Sequence, residues 1–232
     1  MIIRSLGQSG YIVRTSKTTV VIDPYLSDSV NKAAGRPRAL PSPVQPQDIR
    51  CDAVICTHDH LDHLDPETVK GIFSQQLFLT TKKGSELLRR LGRTNVKVLE
   101  QGQTVTVGDI SITAVFADHS TEAFGIILKA EEKTLYFSGD TLYHENLLKI
   151  AAYHPDITLI CINGKLGNMN VGQALAVARK LGAKVNIPNH YDMFLSNSED
   201  PHLFADHIQG GCILEFNREY DVDQLLKESA CK

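Results

Sequence analysis

The segment THDHLDH, residues 57–63, places three histidines and two aspartates within six positions, His58 to His63. It follows directly on the apolar run Ala53-Val54-Ile55-Cys56. Imidazole nitrogens and carboxylate oxygens together suit divalent zinc, manganese or iron. Alternate residues of an extended segment point the same way, so His58 and His60 can grip one ion. Asp62 and His63 need a turn and then reach a neighbouring ion. A purely structural role does not explain the cluster, because burying it without a cation leaves several polar groups unpaired.

Three further candidates sit at the ends of apolar runs: His119 after ITAVFA, Asp140 after LYFSG and His190 after VNIP. Taken alone, His119 or His190 reads as a surface or hydrogen-bonded histidine, and Asp140 as a turn or cap residue. Beside the first cluster they gain weight, since layered folds gather functional groups in the crevice beyond one set of strand ends. The seven side chains His58, His60, Asp62, His63, His119, Asp140 and His190 are more than one ion needs. They suit two divalent ions about 3.5–4 Å apart with a bridging carboxylate and positions left for water and substrate.

The surrounding patterns predict what must hold these residues. YIVRT and TTVVID predict a hairpin turning near Ser16-Lys17. Pro37, Pro41, Pro43 and Pro46 predict a long loop over residues 31–50 in place of a regular helix or central strand. AVICT predicts a buried strand and DPETVKGIF a helix, with Asp65 as N-cap and Pro66 at its first position. LFLTT predicts a strand and SELLRRLG a helix ended by Gly92. VKVLE, QTVTV, DISITAVFA, AFGIILKA and KTLYFSG predict strands, with tight turns at Gly108-Asp109 and Glu131-Glu132. HENLLKIAAY and NVGQALAVARKLG predict helices, ITLICI and KVNIP strands, and DPHLFADHI another Asp-Pro start. Each half runs from several strands into strand–helix alternation. That predicts two sheets packed face to face with helices outside, one αββα domain over residues 1–232.

Composition narrows the class. With 232 residues and 42% hydrophobic content a sizeable core is expected. A formal charge of −3 argues against a dedicated nucleic-acid binder. No apolar stretch reaches membrane-spanning length, and MIIRSLGQSGYIVR lacks the pattern of a signal peptide. Five cysteines, Cys51, Cys56, Cys161, Cys212 and Cys231, form no framework spacing. Cys56 and Cys161 lie in apolar runs and read as core residues, so a reducing cytoplasm is expected.

The pattern His58-x-His60-x-Asp62-His63, with strand-end His119, Asp140 and His190, resembles the metallo-β-lactamase-fold hydrolase superfamily over nearly the whole chain. Within it, IDPYLSDS, THDHLDH, FADHS, GDT, INGK…GNMN and NHYDMF resemble the L-ascorbate-6-phosphate lactonase family in patches. The resemblance implies an α/β (α+β) four-layer αββα sandwich, a Mn or Zn site and hydrolysis of a sugar-acid lactone. It implies a first ion on His58, His60 and His119, a second on Asp62, His63 and His190, and Asp140 bridging both. Asp23, at the end of TTVVID, matches an aspartate that accepts the other N–H of a ligand histidine; as a residue before Pro24 it also reads as a turn former. Between Asn163 and Asn168 the chain is shorter than the phosphate-lactone enzymes and keeps only Lys165 as a basic residue.

The expected reaction is attack of a hydroxide, shared between two cations, on a lactone or other ester-like carbonyl. Asp62, Asp140 and His190 are the expected catalytic groups. Asn163, Lys165 and Asp192 are candidate substrate contacts, and Arg36, Arg38 and Lys165 the cations available to an anionic group. The substrate is expected to be a small molecule, with no nucleic-acid or membrane partner; family analogy points to a homo-oligomer. Two other readings use the same residues: a dinuclear phosphodiesterase or nuclease, and a metal-binding scaffold without turnover.

Overall fold

The computed structural model describes residues 1–229, so Cys231 lies outside the described residues. The first strands are β1 (Ile2–Gly7), β2 (Gly10–Arg14), β3 (Thr19–Ile22), β4 (Ala53–Cys56), β5 (Leu77–Thr80) and β6 (Val96–Val98). They are followed by β7 (Thr104–Val107), β8 (Ile110–Val115), β9 (Gly125–Ala130), β10 (Lys133–Phe137), β11 (Ile157–Cys161), β12 (Val185–Asn189) and β13 (Glu219–Asp221). One sheet has the order β13-β1-β2-β3-β4-β5-β6, the other β12-β11-β10-β9-β8-β7. In the first sheet β1 to β3 pair antiparallel and β3 to β6 parallel. The second sheet repeats the plan, antiparallel from β7 to β10 and parallel from β10 to β12.

The sheets pack against each other through the alternate residues that strand geometry turns to one face. Val20 and Ile22 of β3, Ile55 of β4, Ile112 of β8, Leu128 of β9 and Leu159 of β11 meet in this central core. Val21, Val54 and Phe78 point the other way, onto Leu64, Val69 and Leu88 beside α2 (Pro66–Gly71) and α3 (Lys82–Arg90). On the far side Ile127, Tyr136 and Ile160 pack against Leu147 and Ile150, and against Ala174 and Val177 of α4 (Val171–Leu181). The order of layers is therefore helix, sheet, sheet, helix, the αββα sandwich. β4 is buried along its whole length, as a parallel strand covered on both faces must be.

Helix starts follow local chemistry. Asp65 accepts from Glu67 N with Pro66 behind it, and Asn170 and Gln173 form a reciprocal capping box on α4. Several elements depart from the sequence pattern. The loop expected from residue 31 begins later, because α1 (Ser29–Ala34) takes the first residues and ends on Gly35 at φ 65°. HENLLKIAAY winds as a 3₁₀ helix over Glu145–Tyr153, and DPHLFADHI yields only the short α5 (His202–Ala205). β1 carries no clear alternation; a register shift between Ser5 and Gly7 interrupts it. Among the described residues no helix is long and apolar enough to cross a membrane.

Candidate metal centre

Parallel pairing carries the ends of β3 and β4 to one rim of the sandwich. β8, β10 and β12 run in one direction in the other sheet, so their ends deliver side chains there too. Asp23 follows β3, residues 57–63 follow β4, His119 follows β8, Asp140 follows β10 and His190 follows β12. Their ligand-type atoms form three overlapping groups, each within 4.8 Å: His58, His60 and His119; His58, His63 and Asp140; Asp62, His63 and His190.

His58 Nε2 lies 3.1 Å from His60 Nδ1, which lies 3.1 Å from His119 Nε2. His190 Nε2 lies 3.4 Å from Asp62 Oδ2 and 3.2 Å from Asp140 Oδ2. Asp140 stands between the groups, with Oδ1 3.2 Å from His63 Nε2 and Oδ2 3.8 Å from His119 Nε2. Ligands held about 2.1 Å from a common ion are separated by roughly 3.0–3.4 Å, which several of these spacings match. His63 Nε2 and Asp140 Oδ1 are buried, and although they are close, neither makes a hydrogen bond. Leaving such atoms unpaired costs about 1–3 kcal/mol each. The donor set and its orphaned atoms fit divalent cations.

The outward nitrogens are also fixed. Asp23, 1% exposed, sets Oδ2 2.8 Å from His63 Nδ1 and accepts from Thr57 N and Thr57 Oγ1, each at 2.7 Å. Thr57 Oγ1 donates to Asp23 and so accepts from His58 Nδ1 at 3.1 Å. His119 Nδ1 donates to the carbonyl of Gly167 at 3.0 Å. In each case the partner holds the proton on the outer nitrogen and turns Nε2 inward.

Electrostatics follow from burial and crowding. Burial lowers the His58 imidazole below its ordinary value, with His63 adding to the effect. Burial would likewise lower His63 and His190. For His63 it is outweighed by Asp140, Asp23 and Asp62, which raise it well above the usual histidine value. For His190 it is outweighed by Asp140 and Asp62, which push it up to about 9. Burial would raise the carboxyls of Asp62 and Asp140, but His63 and His190 overcome it and hold both below the usual range.

A cavity of about 430 Å³ opens over the cluster, with His60, Asp62, Asp140 and His190 on its lining and Arg36, Ser120, Leu166 and Asn197 around them. A larger groove of about 820 Å³, which includes Arg50 and Phe73, shares none of these residues. Asn163, Lys165 and Asp192 do not line the cavity. Asn163 donates to the Asn197 side chain at 3.0 Å, and Lys165 Nζ reaches Ser196 O at 3.4 Å. Arg38 is consumed by the backbone, donating to Tyr25 O, Ser27 O and Leu40 O.

Sequence patterning misses Gln8, Thr57 and Gly167. Gln8 is buried at φ 55° and donates to Asp62 Oδ2 at 2.7 Å, while its backbone carbonyl accepts from His190 N. The signal for it is the Gly7-Gln8-Ser9-Gly10 turn, where a large polar residue sits between glycines. Gly167, at φ 92°, contributes a carbonyl, which no side-chain motif reveals.

Known proteins bear on this arrangement. Residues 18–191 match the family model described as a beta-lactamase superfamily domain. A UPF0173 metal-dependent hydrolase of Oenococcus oeni is 29% identical over 95% of this chain and 100% of its own length. Another, from Hyperthermus butylicus, is 30% identical over 86% of this chain and 87% of its own length. Among solved structures, an isothiocyanate hydrolase from Delia radicum gut bacteria superposes with a TM-score of 0.79 at 20% identity, over 95% of this chain and 98% of that one. That last likeness is one of fold. With three-quarters of the sequence under the family model and a hydrolase relative matched almost end to end, the chain belongs to the β-lactamase superfamily and, within it, to the UPF0173 metal-dependent hydrolases.

Proposed function

We propose that this metal-dependent hydrolase opens a lactone or other ester-like bond in a small, sugar-acid-type molecule. His58, His60 and His119 would hold one divalent ion and Asp62, His63 and His190 a second, with Asp140 available to both. Such ions supply Lewis acidity to a carbonyl and bring the pKa of water towards about 7. Asp62, on the cavity wall, held ionised by His63 and His190 and fixed by Gln8, would orient the attacking water, whose proton passes to the leaving oxygen. His190, also on the wall, would face the bound substrate. The observation carrying this reading is the convergence of the three donor groups around the unpartnered His63 Nε2 and Asp140 Oδ1. A cavity near 430 Å³ supports a small molecule over a polymer. The lactone itself rests on the motif resemblance in residues 22–29, 57–63, 116–120, 139–141, 162–170 and 189–194.

The test is turnover of a panel of sugar lactones and simple esters by protein reconstituted with Mn or Zn. His58→Ala and Asp140→Ala are expected to lose both bound metal and at least about 100-fold of the rate while keeping native circular dichroism. Wild-type rates in those variants would contradict the assignment.

A further inference from the structure

The cavity over the cluster is lined by Asp62 and Asp140, and Arg36 is the one arginine or lysine among its lining residues. Among the described residues Arg36 makes no ion pair and no side-chain hydrogen bond. The residue is half-buried and lines the cavity. An unpaired arginine is a receptor for an oxyanion, because its planar fork of N–H donors matches two carboxylate or phosphate oxygens.

The backbone that presents Arg36 is held on both sides. Gly35 N closes α1 onto Asn31 O at 2.8 Å. Two residues further on, Arg38 donates to Tyr25 O at 2.6 Å and Ser27 O at 3.1 Å, and stacks over the Tyr25 ring at 4.8 Å. Ala39 N donates to Met193 O at 2.7 Å, and Leu40 packs with Tyr25, Met193 and Phe194. The loop is therefore a fixed strap with one free cation, and a ligand meeting Arg36 need not order the chain first. The same lining offers Leu166, 59% exposed, and Asn197, whose side-chain oxygen accepts from Asn163. Those groups suit the uncharged body of a molecule.

We infer that Arg36 is the specificity residue for an oxyanion, a carboxylate or phosphate, carried by the substrate at the end remote from the bond that is cleaved. The inference rests on the hydrolase reading above and names the charge class of its substrate.

A matched pair of lactones tests it: 5-oxotetrahydrofuran-2-carboxylate and its neutral carboxamide, each assayed with metal-loaded protein. Wild-type protein is expected to prefer the carboxylate in kcat/KM, and Arg36→Ala to erase that preference by about 10- to 100-fold, mainly through KM. Arg36→Lys restores part of it, and elemental analysis shows the same metal content in all three proteins. A carboxylate-to-carboxamide ratio unmoved by Arg36→Ala overturns the inference and leaves the hydrolase intact. Should neither lactone turn over, the lactone reading fails instead, and calorimetric titration of the zinc-loaded protein decides for Arg36. There, Arg36→Ala is expected to weaken glutarate or inorganic phosphate binding about tenfold or more, and the stronger-bound probe identifies the oxyanion. Equal affinities in wild type and variant overturn the inference.

Discussion

Asp23 Oδ2 sits 2.8 Å from His63 Nδ1, and both side chains are sealed from solvent. The same carboxylate receives Thr57 N and Thr57 Oγ1, so it fixes His63 directly and His58 through the Thr57 hydroxyl. Asp23→Asn keeps a residue type that tolerates the φ of 42° found there. It replaces one acceptor oxygen by an amide donor, and the imidazole loses its orienting partner. Metal affinity, read by competition with a chromophoric chelator, is expected to fall about 10- to 100-fold. Unchanged affinity would mean that packing alone orients His63.

Gly167 supports His119 from the other side. A Cβ built there lies 2.8 Å from His119 Nδ1, and the residue has φ 92°. Gly167→Ala therefore combines backbone strain with displacement of a candidate ligand, and is expected to cost about 1–3 kcal/mol of stability along with metal affinity. Gly92→Ala is the comparison: φ is 79° and nothing lies within 4 Å of the added carbon. It should destabilise without moving metal affinity. Equal metal affinities for the two variants would refute the role given to Gly167.

The pH dependence of the chelated protein has a definite sign. His190, pushed up to about 9, and His63, held well above its ordinary value, bind protons more tightly folded than unfolded. Their contribution is complete below about pH 6.5; that of His190 is lost as pH rises through about 9, and that of His63 as pH rises through its own raised value. Asp62 and Asp140 are depressed, so their contribution is present above about pH 4 and disappears only in stronger acid. Thermal unfolding of metal-free protein should show stability declining between about pH 6.5 and 9. Metal ions compete for the same nitrogens, so their binding should release protons and tighten over that range. A metal-free profile that rises with pH would contradict these protonation states.

Chelation should also lower the melting temperature. At about 100 times Kd, a bound ion stabilises by roughly 2.7 kcal/mol, or on the order of 5–10 °C in a chain of this size. Differential scanning with and without a chelator reads the effect, which His58→Ala and Asp140→Ala should abolish.

Residues 57–63 were legible because donor atoms spaced two apart after an apolar run have few other uses. His119, Asp140 and His190 were legible only by their place at strand ends; the distances among them come from the two sheets closing on each other. Gln8 lies 182 residues from His190, and no local pattern encodes that meeting. Gly167 acts through its carbonyl and Thr57 through a hydroxyl with many ordinary roles. The same limit applies to the fold. The Glu131-Glu132 turn shows as a polar break between apolar runs, and both residues have positive φ, as a tight hairpin turn demands. The winding of residues 145–153 as 3₁₀ helix depends on the surface they pack against.

The division of the ligands between two sheets has a consequence for the order of events during synthesis. Residues 58–63 leave the ribosome well before His190, yet neither donor group is whole until the second sheet has docked. The central core that joins the sheets is made of apolar side chains, aliphatic and aromatic, from both sheets. A complete set of candidate donors therefore exists only once both sheets are in place.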